Sequence, residues 1–179
     1  MQTLPVSLPS NAYTIENLFS LAITQKITST KIIMQSFSAY VNTAHLPTIV
    51  GVLKHYLPTV LRTQCHNDEN LPFALEVKRT EIGHLFEHIL LEYLCQLKIA
   101  KGHKRAVFSG RTKWNWIRDP RGKFHIHLTC GMKDADILPT AVEKTINLMK
   151  IILDTPALIT NNYTAKNGLK NGRRLSKQR

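Results

Sequence analysis

The chain has 179 residues, enough for one domain with a hydrophobic core, and its 43% hydrophobic and 20% charged residues are ordinary for a globular protein. It contains no apolar run near the roughly 20 residues of a membrane span and no secretory signal, so we expect a cytoplasmic protein with no membrane partner. The three cysteines are widely spaced and odd in number, which excludes a disulfide framework and a paired-cysteine metal motif.

The net charge of +12 is concentrated towards the end of the chain, where the last fourteen residues carry six Lys or Arg and no acid. A segment rich in Asn, Gly, Lys and Arg has little to bury, so residues 154–179 are predicted to be a basic, disordered tail. Such a tail is either simply solvated or an electrostatic arm for an anionic partner.

The first half of the chain predicts strands and one helix. Residues 1–29, rich in Pro, Ser and Thr at the start, are expected to be irregular or weakly helical. Alternation predicts a strand near 30–38, and helical spacing of apolar residues predicts a helix over 46–62 that Pro58 ends or kinks. After a polar turn, the alternating residues 73–79 are expected to form a strand.

The second half contains the clearest helix, over 80–100, with Thr80 as its N-cap and Gly102 as a stop signal. Two strands follow, from 105–110 and 123–130, joined by a basic loop with two tryptophans. A final amphipathic helix covers 137–153. The order predicts a single α+β domain over 30–153, a small sheet with helices packed on it.

Chemistry is concentrated in the stretch Gly-His-Leu-Phe-Glu-His at 83–88 of the long helix. His84 and His88 lie one turn apart on the same face, about 6 Å from each other, and can converge on one zinc ion. Glu87 can flank that ion as a general base for a water molecule. His-x-x-Glu-His is the inverted zinc-protease signature, although three polar residues can also share a helix face without binding metal.

A zinc site of this kind needs a third protein ligand, which the motif does not contain. Glu92 shares the helix face but lies about 9 Å further along the axis than the metal, so it could instead orient His88. His127, which shares a strand face with His125, is the other candidate. His103 and Cys130 are weaker ones.

These residues resemble the N-terminal domain of cyanophycin synthetases. That family has Gly-His-x-x-Glu-His-x-x-x-Glu on a helix, found here from Gly83 to Glu92, followed by a Gly-Arg-Thr loop and a β-hairpin. The loop corresponds to Gly110, Arg111 and Thr112. The preceding residues 52–62 also resemble the family's helix with its Leu-Pro pair, and the likeness extends over roughly 30–153.

The resemblance implies an inverted-type zinc peptidase site that clips the polymer in some members, and a scaffold that binds the growing chain in others. The ATP-dependent ligase domains of that family have no counterpart in these 179 residues. Arg111, Thr112 and Trp114 would then contact substrate, with Arg111 holding a carboxylate. Family members often carry an acid where Thr129 stands, which leaves the third ligand open.

Three functions follow as expectations. The first is a zinc-dependent hydrolase of peptide or amide bonds, acting on cyanophycin-like or other peptide chains. The second is a non-catalytic module of the same fold that binds a peptide or polymer. The third is a nucleic-acid-binding protein, supported by charge but by no recognised motif.

Overall fold

The computed structural model describes residues 11–66 and 70–168, with side chains up to Asp154. Five strands form one antiparallel sheet: β1 (Asn11–Ile15), β2 (Phe19–Gln25), β3 (Thr30–Ser36), β4 (Gly110–Lys113) and β5 (Lys123–Leu128). Their spatial order is β1-β2-β3-β5-β4, so β5 inserts between β3 and β4. The helices are α1 (Ile49–Tyr56), α2 (Phe73–Glu76), α3 (Ile82–Ala100) and α4 (Leu138–Gly168), and a 3-10 turn at Pro58–Arg62 follows α1.

The helices cover one face of the sheet because the strands alternate. In β5, Phe124, Ile126 and Leu128 are buried under the helices, whereas His125 and His127 point to the opposite side. The register places Ile32 of β3 opposite Ile126, so the apolar residues of neighbouring strands share one core. This confirms the predicted single α+β domain.

Within the described residues, no helix is long and apolar enough to cross a membrane.

The segment expected to be irregular, 1–29, is largely β-structure in its described part. Residues 11–25 form the hairpin of β1 and β2, and Asn17 takes a left-handed φ of 59° in its turn. Asn tolerates this conformation, and the alternating Phe19, Leu21 and Ile23 are buried. The expectation was therefore wrong for this hairpin, and residues 1–10 lie outside the described residues.

Two further boundaries differ from the expectation. Residues 73–79 form the short helix α2 and a turn rather than a strand, because Phe73 packs into the core as the chain turns back toward α3. The strand expected at 105–110 lies at Gly110–Lys113 instead, where the hairpin to β5 sets the pairing. The strand near 30–38, the break after Tyr56 and the strand within 123–130 are confirmed.

Helix α3 occupies nearly the predicted range, and Gly102 follows it with a φ of 89° as a stop signal should. Its N-cap is Glu81 rather than Thr80, whose side chain turns to His84 instead. Helix α4 begins at Leu138 as predicted but continues to Gly168, through the first part of the predicted disordered tail. The rest of that tail, 169–179, lies outside the described residues.

Candidate metal centre

The two histidines of the motif lie side by side on α3, facing α2 and the loop before it. The ring centroids of His84 and His88 are 4.8 Å apart, as their spacing of one helical turn predicts. Phe73 of α2 stacks on the His88 ring at 3.9 Å between centroids. The short helix α2 therefore forms one wall of this site.

A cysteine far away in the sequence completes the group. The buried Cys65 places its Sγ 3.4 Å from Nε2 of His84. Cys65, His84 and His88 each offer one ligand atom, and these atoms all lie within 4.8 Å of one another, close enough to hold a metal ion. Thiolate and imidazole are preferred zinc ligands, so the donor set fits this metal.

Hydrogen bonds orient both imidazoles for this role. The hydroxyl of Thr63 donates to the carbonyl of Val60 at 2.7 Å, so it can only accept from Nδ1 of His88, 3.3 Å away. His88 therefore carries its proton on Nδ1 and presents a bare Nε2. The Thr80 hydroxyl lies 2.8 Å from Nδ1 of His84, which leaves Nε2 of His84 toward Cys65. Such outer partners commonly fix the ring orientation of metal-binding histidines.

Burial keeps both rings in the neutral form that binds metal. Desolvation, followed by the nearby His84 and His66, lowers the pKa of His88 to about 3. Burial also lowers the pKa of His84. A cation would therefore meet imidazoles that need not first lose a proton.

Glu87 lies on the side of α3 that faces β4. Its carboxylate is buried, and Oε2 accepts a hydrogen bond from the hydroxyl of Thr112. Desolvation raises the pKa of Glu87 to about 7, against the opposing effect of the Thr112 hydrogen bond. A carboxyl group with this pKa can both accept and release a proton near neutral pH.

Two glycines allow this close packing. A Cβ on Gly110 would lie 2.5 Å from Oε1 of Glu87, so β4 can approach the carboxylate only without a side chain there. A Cβ on Gly83 would overlap the ring of Phe124. Gly83 and Gly110 thus set the distances between α3 and the sheet.

The expected third ligands lie elsewhere. His127 is exposed on the sheet face opposite the helices, because it alternates with the buried Ile126 and Leu128. Glu92 is further along α3, where Oε1 accepts a hydrogen bond from Gln96 at 3.0 Å. Neither belongs to the group formed by Cys65, His84 and His88. The weaker candidate Cys130 is buried in the core, and His103 is exposed beyond α3.

The expected substrate residues are divided between the two faces of the sheet. Thr112 points to the helices and contacts Glu87, whereas Arg111 is exposed opposite His127 on the outer face. Arg111 therefore points away from Cys65, His84 and His88, and its predicted contact with substrate stays a prediction. Trp114 is 39% exposed and meets Phe124 edge-on at 6.2 Å between ring centroids.

A cavity of about 220 Å³ lies between β1, β2 and the start of α4, and none of its lining residues belongs to the metal-binding group. The group itself is nearly closed: Cys65 is 2% exposed and His88 is 9% exposed. Access is greatest at His84, whose side chain is 15% exposed.

Sequence reasoning missed Cys65, which stands in a polar stretch predicted to be a turn. The adjacent Cys65 and His66 were the available signal, since both residue types bind metal. No spacing rule connects them with a helix that begins at Ile82.

Comparison of the chain with protein-family models, curated proteins and solved structures finds no match.

Proposed function

We propose that this protein is a zinc-dependent hydrolase of peptide or amide bonds. One observation carries the proposal. The ligand atoms of Cys65, His84 and His88 lie close enough to hold one ion, and the two histidines flank the buried Glu87 on α3. Cys65, His84 and His88 would hold the ion and leave a fourth position open, as catalytic zinc sites do. The resemblance to cyanophycin synthetase N-terminal domains supports a peptide-like polymer as substrate.

When bound, zinc would polarise the amide carbonyl and lower the pKa of a water molecule. Glu87 would take a proton from that water as its oxygen attacks the carbonyl carbon. As the carbon–nitrogen bond breaks, Glu87 would return the proton to the leaving amine. The hydroxyl of Thr112 would hold the carboxylate in place throughout.

A second function is favoured by the near-closure of the site. With Cys65 and His88 buried, zinc could instead be structural, in a non-catalytic module that binds a peptide or polymer. That alternative predicts the same metal content but no turnover. In both functions Cys65, His84 and His88 would hold the zinc, but only in the hydrolase would Glu87 transfer a proton.

The first test is zinc content by elemental analysis after mild dialysis, comparing the wild type with His88→Ala and Cys65→Ser. We expect about one zinc per chain in the wild type, loss in both variants, and retention in Cys95→Ser, whose thiol is not part of the group. Absence of zinc even after zinc is supplied would contradict the hydrolase and a structural zinc alike, and would favour a binding module that holds no metal.

The second test is hydrolysis of aspartate–arginine and other peptide polymers by the zinc-loaded protein. Glu87→Gln keeps the shape of the side chain, so it should retain zinc and lose activity by about 100-fold or more. If the wild type binds zinc but cleaves none of these polymers, the structural role is the correct one.

A further inference from the structure

The sheet face opposite the helices carries an ordered array of basic and imidazole groups. The register aligns Lys31 of β3, His127 of β5 and Arg111 of β4 in one cross-strand row. The next row contains Ile33, His125 and Lys113. We call these six residues the outer sheet surface.

The positive charge of this surface is largely uncompensated. Within residues 11–66 and 70–154, Lys31, Arg111 and Lys113 form no ion pair. One carboxylate, Asp119, touches the end of the surface, where it binds Lys123 at 2.8 Å and His125 at 3.0 Å. None of the described helices packs over these side chains, since all cover the other face.

His127 lies at the centre of this surface, between Lys31 and Arg111. The pKa of His127 is lowered, first by partial burial and then by Lys31, His125, Lys113 and Lys26. These groups come from β3, β5, β4 and the end of β2, and no acid appears among them. An anion that binds here would relieve the repulsion.

We propose that the outer sheet surface binds single-stranded nucleic acid. Phosphates would lie on Arg111 and Lys113 of the edge strand β4, and bases would lie against the imidazole rings of His125 and His127 on the neighbouring β5. Lys31 would extend the positive surface beyond the rings. The site is independent of the metal-binding group, which lies on the opposite side of the sheet.

The two-column arrangement favours nucleic acid over an acidic polypeptide. Neighbouring strands are about 4.8 Å apart, and residues two apart on a strand are separated by about 7 Å. Strand β4 therefore presents cations, Arg111 and Lys113, and the neighbouring strand β5 presents planar rings, His127 and His125, with the same spacing of about 7 Å along each strand. A nucleotide chain presents a charge and a planar base in every unit, whereas an acidic peptide presents only charges. The three cations Lys31, Arg111 and Lys113 favour a polyanion of either kind.

The test is fluorescence anisotropy of labelled 12-nucleotide oligo(U) and oligo(dT) with the full-length chain between 50 and 200 mM salt. Arg111→Gln/Lys113→Gln should weaken binding about tenfold and reduce the slope of log affinity against log salt by about 1.4, for two phosphates. The control Lys54→Gln/Lys150→Gln removes the same charge from exposed positions on α1 and α4, and should change affinity less than about twofold.

Replacing the ring at position 127 tests stacking separately. His127→Ala should weaken binding about fivefold, and His127→Phe should preserve it, because phenylalanine retains a planar ring without the charge. Tighter binding of oligo(U) would assign the surface to RNA, and equal binding would assign it to single strands of both kinds.

Two results would overturn the proposal. Equal losses in both double variants would show that binding depends only on total charge. Competition by polyaspartate as strong as that by the oligonucleotides, with no effect of His127→Ala, would assign the surface to acidic polypeptides instead.

Discussion

The ring of Phe124 on β5 fills the space that a side chain at position 83 of α3 would need. Helix and sheet meet here through a glycine, one residue before the first histidine of the metal-binding group. The contact sets how deeply the start of α3 sits on the sheet. The contact therefore also determines how far His84 and Glu87, on the same turn of α3, lie from the sheet.

Gly83→Ala should destabilise the fold, because its methyl group would force the fully buried Phe124 out of position. We expect a loss of about 1–3 kcal/mol in the free energy of unfolding, as overpacking produces. The matched control is Gly51→Ala in α1, where nothing lies within 4 Å of the added Cβ. That substitution should stabilise by about 0.5–1 kcal/mol through helix propensity. Urea denaturation measures the free energy of unfolding of both variants. Equal changes in the two would contradict the close contact between Gly83 and Phe124.

Thr63→Val should weaken zinc binding without removing a ligand. The substitution keeps the side-chain shape but deletes the hydroxyl that holds Nδ1 of His88, and loss of such a partner lowers metal affinity by about 10–100-fold. Thr59→Val is the control: Thr59 lies in the 3-10 turn just before Thr63, its hydroxyl accepts from Gln96 and not from His88, and this variant should bind zinc normally. Competition with a chromophoric chelator measures both affinities. Normal binding by Thr63→Val would show that His88 does not depend on this hydroxyl.

Glu87→Gln should change how the stability of the zinc-free protein depends on pH. The pKa of Glu87 is about 7 in the folded chain against 4.5 as its ordinary value. Between these values the folded state holds a proton that the unfolded state releases, so the wild type loses stability as pH rises from 4.5 to 7. The loss amounts to at most about 3 kcal/mol.

The glutamine variant lacks this loss, so its advantage over the wild type should grow across that pH window and then level off above pH 7. Both chains retain His88, so its contribution to the pH dependence of stability cancels when the two are compared at each pH. Urea denaturation in the presence of a chelator, from pH 4 to 8, provides the measurement. A constant difference between the two chains would disprove the raised pKa.

Lys98→Met should destabilise the contact between α3 and the turn before α4. Lys98 forms an ion pair with Asp134, whose side chain is fully buried, and the variant would leave that carboxylate without its cation. We expect a loss of about 3 kcal/mol in the free energy of unfolding. Lys98→Met/Asp134→Asn removes both charges and should recover much of the loss. A double variant as unstable as the single one would show that packing, not charge, determines the effect.

Local patterns in the sequence predicted α3, the break after Tyr56 and the positions of β3 and β5, because apolar periodicity and proline act within a few residues. The same reasoning gave the pair His84 and His88, whose proximity follows from helix geometry alone. Residues 73–79 were mispredicted because Phe73, Leu75 and Val77 alternate like a strand. The buried positions Phe73 and Val77 also suit one turn of helix followed by a bend.

Long-range relationships were beyond these patterns. Cys65 reaches His84, and Thr112 reaches Glu87, only after the chain has folded back on itself. The facing of His127 was uncertain because a strand presents alternate residues to opposite sides, and only the packing of Phe124 and Ile126 against the helices decides which side is buried. The β1–β2 hairpin was overlooked although Asn17 marks its turn.

The insertion of β5 between β3 and β4 has a kinetic consequence. The hairpins β1–β2 and β2–β3 pair segments that adjoin in the chain, whereas β3 must find β5 across all of α1, α2 and α3. Closing such a long loop is entropically unfavourable before its contacts form, and non-local pairing of this kind slows folding. We therefore expect the β1–β2–β3 and β4–β5 hairpins to form early, and the pairing of β3 with β5, which closes the sheet, to be the slow step.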